Sequence, residues 1–166
     1  MSLLTRLGAT LLLTAIGAPS WAGDLTVAIA GVHSRSGTLM LGLYDTAAGF
    51  GKAIEQSTKQ GLLNDSTRVV GVAMRAVKGT QSTVFKNLPS GSYAIIVFHD
   101  EDDNGMLDEN YWGVPIEGYG FSNDAQGFLG PPNFEAAAVT VDAADRAITI
   151  SLIYPTPLPA LSLITE

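Results

Sequence analysis

The sequence predicts an all-β domain, a seven-stranded antiparallel β-sandwich carrying an EF-hand-like acidic loop. Three observations predict it. Short runs rich in β-branched residues recur along the chain between Gly, Pro, Asn and Ser turns. Helical spacing of apolar residues is nearly confined to residues 47–59. Hydrophobic residues make up 46% of the 166 residues and charged residues only 15%, enough apolar side chain for a core.

Taken in order, the chain starts with a leader. Arg6 precedes an uncharged, mostly apolar run over residues 7–18, Pro19 breaks it, and Ser20-Trp21-Ala22 puts small residues at −3 and −1 of a cleavage point. These are the parts of a secretory signal peptide over residues 1–22. The run is too short for a membrane anchor, which needs ~20 residues. Export to the periplasm or the medium follows as an expectation, with the domain at residues 23–154. The chain contains no cysteine, which excludes disulfides, zinc–thiolate sites, iron–sulfur clusters and cysteine nucleophiles. The net charge of −7 disfavours nucleic acid as a partner, and no later stretch is long enough to span a membrane.

The seven predicted strands are residues 25–32 (LTVAIAGV), 38–44 (TLMLGLY), 68–77, 82–88, 93–98 (YAIIVF), 137–141 and 147–154 (AITISLIY). Residues 93–98 form an almost continuous apolar run, the mark of a strand buried on both faces. Residues 147–154 alternate, as a half-buried strand does. Residues 47–59 predict one surface helix in a crossover. The segment 155–166, with Pro155, Pro157 and Pro159, is predicted to be an extended strap or a frayed end, because proline cannot donate to a ladder. Phe85-Lys86-Asn87-Leu88-Pro89-Ser90-Gly91-Ser92-Tyr93 reads F-x-x-L-P-x-G-x-Y. It predicts a hairpin with Phe85 and Leu88 anchoring one strand, Gly91 taking the turn's positive φ, and Tyr93 opening the returning strand. This motif resembles the hairpin of prealbumin-like and carboxypeptidase-regulatory-like sandwich domains, and the expected sandwich is prealbumin-like or immunoglobulin-like.

The chemistry concentrates in residues 99–108, His-Asp-Glu-Asp-Asp-Asn-Gly-Met-Leu-Asp. From Asp100 as position one, Asp102 falls at three, Asn104 at five, Gly105 at six, Met106 at seven with its carbonyl, and Asp108 at nine. That is the front of a calcium loop, D-x-D-x-N-G, in which alternate side chains of a curled turn meet at one point. Six of the sixteen acids lie in residues 100–109, and such crowding costs repulsion unless a cation compensates. Position twelve is Tyr111 in place of the bidentate Glu, so Glu109, Glu117, Asp124 or water must close the shell. The oxygen donors suit calcium or another hard divalent ion; the alternative is a solvated acidic turn.

Residues 111–134 predict a long connection without strand periodicity, rich in Gly, Pro and aromatics. Two readings stand: the aromatics cap one end of the sandwich, or Trp112, Tyr119 and Phe121 form a platform for a glycan or peptide. His33 and His99 are isolated in sequence and make a poor case for zinc. His99 either caps its strand or supports Asp100 from outside. No G-x-S-x-G elbow and no phosphate-binding loop occur, so no catalytic residue is predicted.

Five pieces occur in order: Leu43-Tyr44-Asp45-Thr46-Ala47-Ala48-Gly49-Phe50, the F-x-x-L-P-x-G-x-Y motif, Phe98-His99-Asp100 with D-x-N-G-x-L-D, Gly118-Tyr119-Gly120-Phe121-Ser122-Asn123, and Gly130-Pro131-Pro132-Asn133-Phe134. Together, over about Asp24 to Tyr154, they resemble the bacterial "domain of unknown function 2141" family. The resemblance implies a small exported β-sandwich, a recurrent role for the acidic loop, and no assigned catalytic residue. The expected function is a calcium-stabilised, non-catalytic binding module with an envelope ligand. The alternatives are a purely structural envelope protein and an envelope hydrolase.

Overall fold

The computed structural model describes residues 22–155. The leader up to Trp21 and the segment after Pro155 lie outside the described residues. The order of elements is β1 (Ala22–Val32), β2 (Thr38–Tyr44), α1 (Ala47–Ser57), β3 (Val70–Arg75), β4 (Gly79–Pro89), β5 (Gly91–Asp100), β6 (Gly118–Phe121), α2 (Phe134–Ala137), β7 (Val139–Val141) and β8 (Arg146–Ser151). Two sheets face each other. One runs β4-β1-β8; the other runs β3-β2-β5-β6, with β7 also pairing β5. Among the described residues no helix is long and apolar enough to cross a membrane.

Alternation builds the core between the sheets. Leu25, Val27 and Ile29 of β1 point inward and meet Leu39, Leu41 and Leu43 of β2, Ile95 and Val97 of β5, and Ile150 of β8. The five-stranded sheet is covered on its other face as well. There Tyr44, Ile96, Phe98 and Phe121 pack under α1 and α2. Phe50 of α1 stands edge-on to Tyr44, Phe121 and Phe134, with ring centroids 6.0–6.2 Å apart. This second layer explains the unbroken apolar run in β5. Thr46 caps α1 by accepting from the Gly49 N–H at 3.2 Å.

Four expectations need correction. An eighth strand exists, β6, inside the connection read as strandless. Its GYGF sequence hides the signal, because glycine disfavours strands. The glycines are there for close approach: a Cβ on Gly118 would sit 2.3 Å from the Tyr154 ring, and one on Gly120 2.9 Å from Ile150. The sandwich is also not wholly antiparallel, since β8 runs parallel to β1 (Leu25↔Arg146 to Ala30↔Ser151). The turn after β7 crosses from the other sheet and delivers the chain to the start of β1, so β8 leaves in the same direction. Third, the F-x-x-L-P-x-G-x-Y motif is a corner between sheets. Its strands, β4 and β5, pair with β1 and β2 and not with each other. Phe85, Leu88 and Tyr93 converge in the core from opposite sheets, and the Tyr93 hydroxyl donates to the Pro89 carbonyl at 2.8 Å. Fourth, the left-handed residue of this motif is Asn87 (φ 54), not Gly91.

β5 has β2 on one side. Its other edge is shared by β6 (Ile96–His99 pairs) and β7 (Gly91–Tyr93 pairs). The Ser122 hydroxyl fills the gap, accepting from the Ile95 N–H at 2.9 Å. Past β8, Ile153 leaves the first sheet and exchanges two backbone hydrogen bonds with Tyr119, stitching the sheets together along that edge.

Candidate metal centre and the adjoining groove

The acidic loop leaves the end of β5, and its geometry starts with two backbone positions in the left-handed region, Asp103 (φ 61) and Gly105 (φ 83). They curl the chain over Asp100. That carboxylate is fully buried and accepts from the N–H groups of Asn104 (3.0 Å) and Gly105 (2.8 Å). Asp102 accepts from the Asn104 N–H at 3.1 Å. The loop is clamped from several sides. Asp103 turns outward, accepting from Thr38 Oγ1 at 2.7 Å and pairing with Arg75 at 2.8 Å. The Leu107 N–H donates to the Ser57 carbonyl at 2.9 Å, and its side chain enters the second core.

Glu117, sixteen residues beyond Glu101, folds back onto the loop. Its carboxylate is 5% exposed and accepts from the Glu101 N–H (2.6 Å) and the Asp108 N–H (3.1 Å). One oxygen from each of Asp100, Asp102 and Glu117 lies within 4.8 Å of the others. Burial pushes both Asp100 and Glu117 above their ordinary carboxyl values. Neighbouring charge adds to this, from Asp102 at Asp100, and from Asp108 and Asp100 at Glu117. Of the three acids read as possible shell-closers, Glu117 is the one brought to the loop. Glu109 bridges to Pro115, and Asp124 is engaged with Ser151. Asn104 and Asp108 stand at the rim. The Asn104 side-chain oxygen accepts from the Met106 N–H, and its amide nitrogen donates to Asp102 and Asp108. His99 neither supports Asp100 nor merely ends the strand; its ring lies on the opposite face and bonds the Ser36 carbonyl and the Tyr154 hydroxyl.

The loop runs straight into one wall of a groove of about 620 Å³ on the helix side of the second sheet. The floor includes Phe98, Tyr119 and Phe121, one wall includes Trp112, and the other includes Leu129 and Pro131. The three aromatics singled out in the sequence thus face one cavity, but unequally. Trp112 is 81% exposed, Tyr119 half-buried and Phe121 only 8% exposed. Tyr111, Phe128 and Leu129, which the sequence reading did not place in the platform, are more than nine-tenths exposed. Asn110 shapes the Trp112 wall: its side-chain oxygen accepts from the N–H groups of Trp112 and Val114.

No curated protein matches the chain. Among solved structures it is similar to a fimbrial assembly protein from Parabacteroides distasonis, at 8% identity and a TM-score of 0.38. The alignment covers 80% of this chain and 53% of that one, about half of its length. The family model described as "Uncharacterized protein conserved in bacteria (DUF2141)" matches residues 27–149, and the chain belongs to that family.

Proposed function

We propose that this protein is an exported, non-catalytic binding module whose acidic loop takes up calcium and thereby sets the wall of the neighbouring groove. The observation that carries the reading is the convergence of Asp100, Asp102 and Glu117 within 4.8 Å. Calcium holds oxygens at 2.3–2.6 Å, so two ligands on opposite sides of one ion stand roughly 5 Å apart. The spacing therefore suits one hard cation between the three groups. Each Asp100 oxygen keeps a lone pair beyond its backbone bond and can still serve an ion. The Met106 carbonyl and Asp108 complete the shell, with Asn104 turning its side-chain oxygen inward from Met106.

An ion held by Asp100 and Glu117 pins both ends of residues 100–117, and Trp112 lies inside that span. The groove's size falls in the range of small-molecule sites, and its aromatic lining suits an apolar peptide side chain or the flat face of a sugar. Its lining carries one carboxylate, Glu109, and His99 lies elsewhere, which supports binding over hydrolysis. The burial of Phe121 favours the structural alternative for that residue alone.

Thermal melting in millimolar calcium and in chelator tests the proposal. The midpoint is expected to rise with calcium concentration, as for extracellular modules of ~10⁻⁴–10⁻³ M affinity. Equal midpoints in the two conditions overturn it.

A further inference from the structure

The acidic loop engages the helix side of the second sheet. The opposite face of the same strand end gathers a different set of donors. Successive side chains of β5 alternate, with Val97 in the core between the sheets and Phe98 in the core under the helices. Continuing that parity, His99 and Glu101 stand on the inter-sheet side, back to back with Asp100 and Asp102. His33, just past the end of β1, comes to meet them. Its ring centroid lies 5.9 Å from that of His99, and its Nε2 lies 2.7 Å from Glu101 Oε1. One donor atom from each of His33, His99 and Glu101 falls within 4.8 Å of the others.

The geometry points to a transition-metal site here, in which His33, His99 and Glu101 bind a divalent ion of the zinc class. The proton arrangement of His99 favours it. The ring is fully buried, and its Nε2 lies 2.7 Å from the Ser36 carbonyl oxygen. A carbonyl only accepts, so Nε2 carries a proton, and the tautomer with that single proton turns its Nδ1 lone pair to the other side. A backbone carbonyl that fixes the tautomer in this way is the usual outer partner of a metal-binding histidine. Nδ1 meets the Tyr154 hydroxyl at 2.7 Å, a partner an incoming ion can displace.

The other two ligands are oriented as well. Ser34 Oγ donates to Glu101 Oε1 at 3.0 Å. The His33 ring stacks on Tyr154 at 3.7 Å with 16° between the planes. His33 is half exposed, so an ion reaches the site from solvent. In the metal-free protein His33 Nε2–H donates to the Glu101 carboxylate; binding displaces that proton, to Nδ1 or to solvent, and puts the ion where it was. Two imidazoles and one carboxylate suit zinc and its neighbours and leave a fourth position for water, whereas the all-oxygen loop across the sheet suits calcium. The two sites therefore separate by metal.

Calorimetric titration of the tag-free protein with zinc chloride, in millimolar calcium to fill the hard-ion loop, tests the assignment. One equivalent is expected to bind. His33→Ala and Glu101→Gln should each weaken it at least ~100-fold, at or beyond the top of the 10–100-fold range seen when only an outer partner is lost. Asp102→Ala should leave zinc affinity unchanged. Copper(II) loading read by electron paramagnetic resonance should show two imidazole nitrogens, and one in His33→Ala. His33 is a surface residue, and a melting curve checks that its variant is folded. No zinc uptake, uptake insensitive to His33→Ala, or uptake lost in Asp102→Ala alone overturns the site. Failure of the calcium loop leaves these outcomes unaffected.

Discussion

Neutralising one of the three converging carboxylates should change sign with the ion. Asp102→Asn removes the charge of the exposed member while keeping an oxygen for the Asn104 N–H. Two unit charges 4.8 Å apart repel by about 3.5 kcal/mol at an effective dielectric of 20. Asp102 takes part in two of the three pairs. Solvent screening at its exposed position cuts the relief to ~1–2 kcal/mol, and the lost bond to the Asn104 side chain takes back ~0.5 kcal/mol. In chelator the variant should therefore melt ~2–6 °C above the native protein, at roughly 4 °C per kcal/mol for a domain of this size. In calcium the order should reverse. At ten to a hundred times Kd the native protein gains ~1.4–2.7 kcal/mol from the ion, and a variant short of one ligand charge forfeits most of it. Differential scanning calorimetry of both proteins in both buffers gives the four midpoints. The same sign in both buffers refutes the reasoning, because a position that only orders the turn has no cause to invert.

In chelator, acidification from pH 7 to about 5 should raise the melting midpoint. Asp100 and Glu117 have folded-state values raised above the ordinary 3.8 and 4.5, so their contribution is complete below those values and lost as pH rises through the raised ones. The bonded carboxyls of Glu101 and Asp103 are lowered and act in the opposite direction, but only at pH below their ordinary values. A midpoint that falls steadily over this range, measured by circular dichroism, contradicts the assignment. Gly37→Ala should destabilise by at least ~2 kcal/mol in urea titration, since its φ is +69° and a Cβ would lie 1.8 Å from the Asp100 carbonyl oxygen; an unchanged midpoint would mean that the two strands are not in this register. Tyr93→Phe should cost ~1 kcal/mol by losing the bond to Pro89 across the corner, and a neutral result would deny that bond a role in holding the sheets together.

Several parts of the architecture were legible before the coordinates. β2 matches its predicted range, and the apolar run of β5 correctly announced burial on two faces. The curled turn after it was readable from Asp, Asn and Gly spacing alone. β6 was not legible, because its two glycines answer to Tyr154 and Ile150, residues of a distant segment. The corner at Pro89 read as a hairpin because turn residues report that the chain reverses but not which strands pair. Trp112 and Phe121 looked equivalent in sequence, yet one ends on an open wall and the other under Phe50.

Within the chain's own order, the residues determined a β-rich domain, an oxygen-rich turn and the helical crossover after β2. These depend on side-chain alternation, turn chemistry and capping, which act over about ten residues or fewer. Tertiary structure alone decided that Glu117 closes on Asp100, and that His33 meets Glu101 from 68 positions away. It also decided that the two clusters occupy opposite faces of one strand end. Those encounters depend on the register of β1, β5 and β6 across two sheets, and register is a property of the assembled core, which no local stretch of sequence contains.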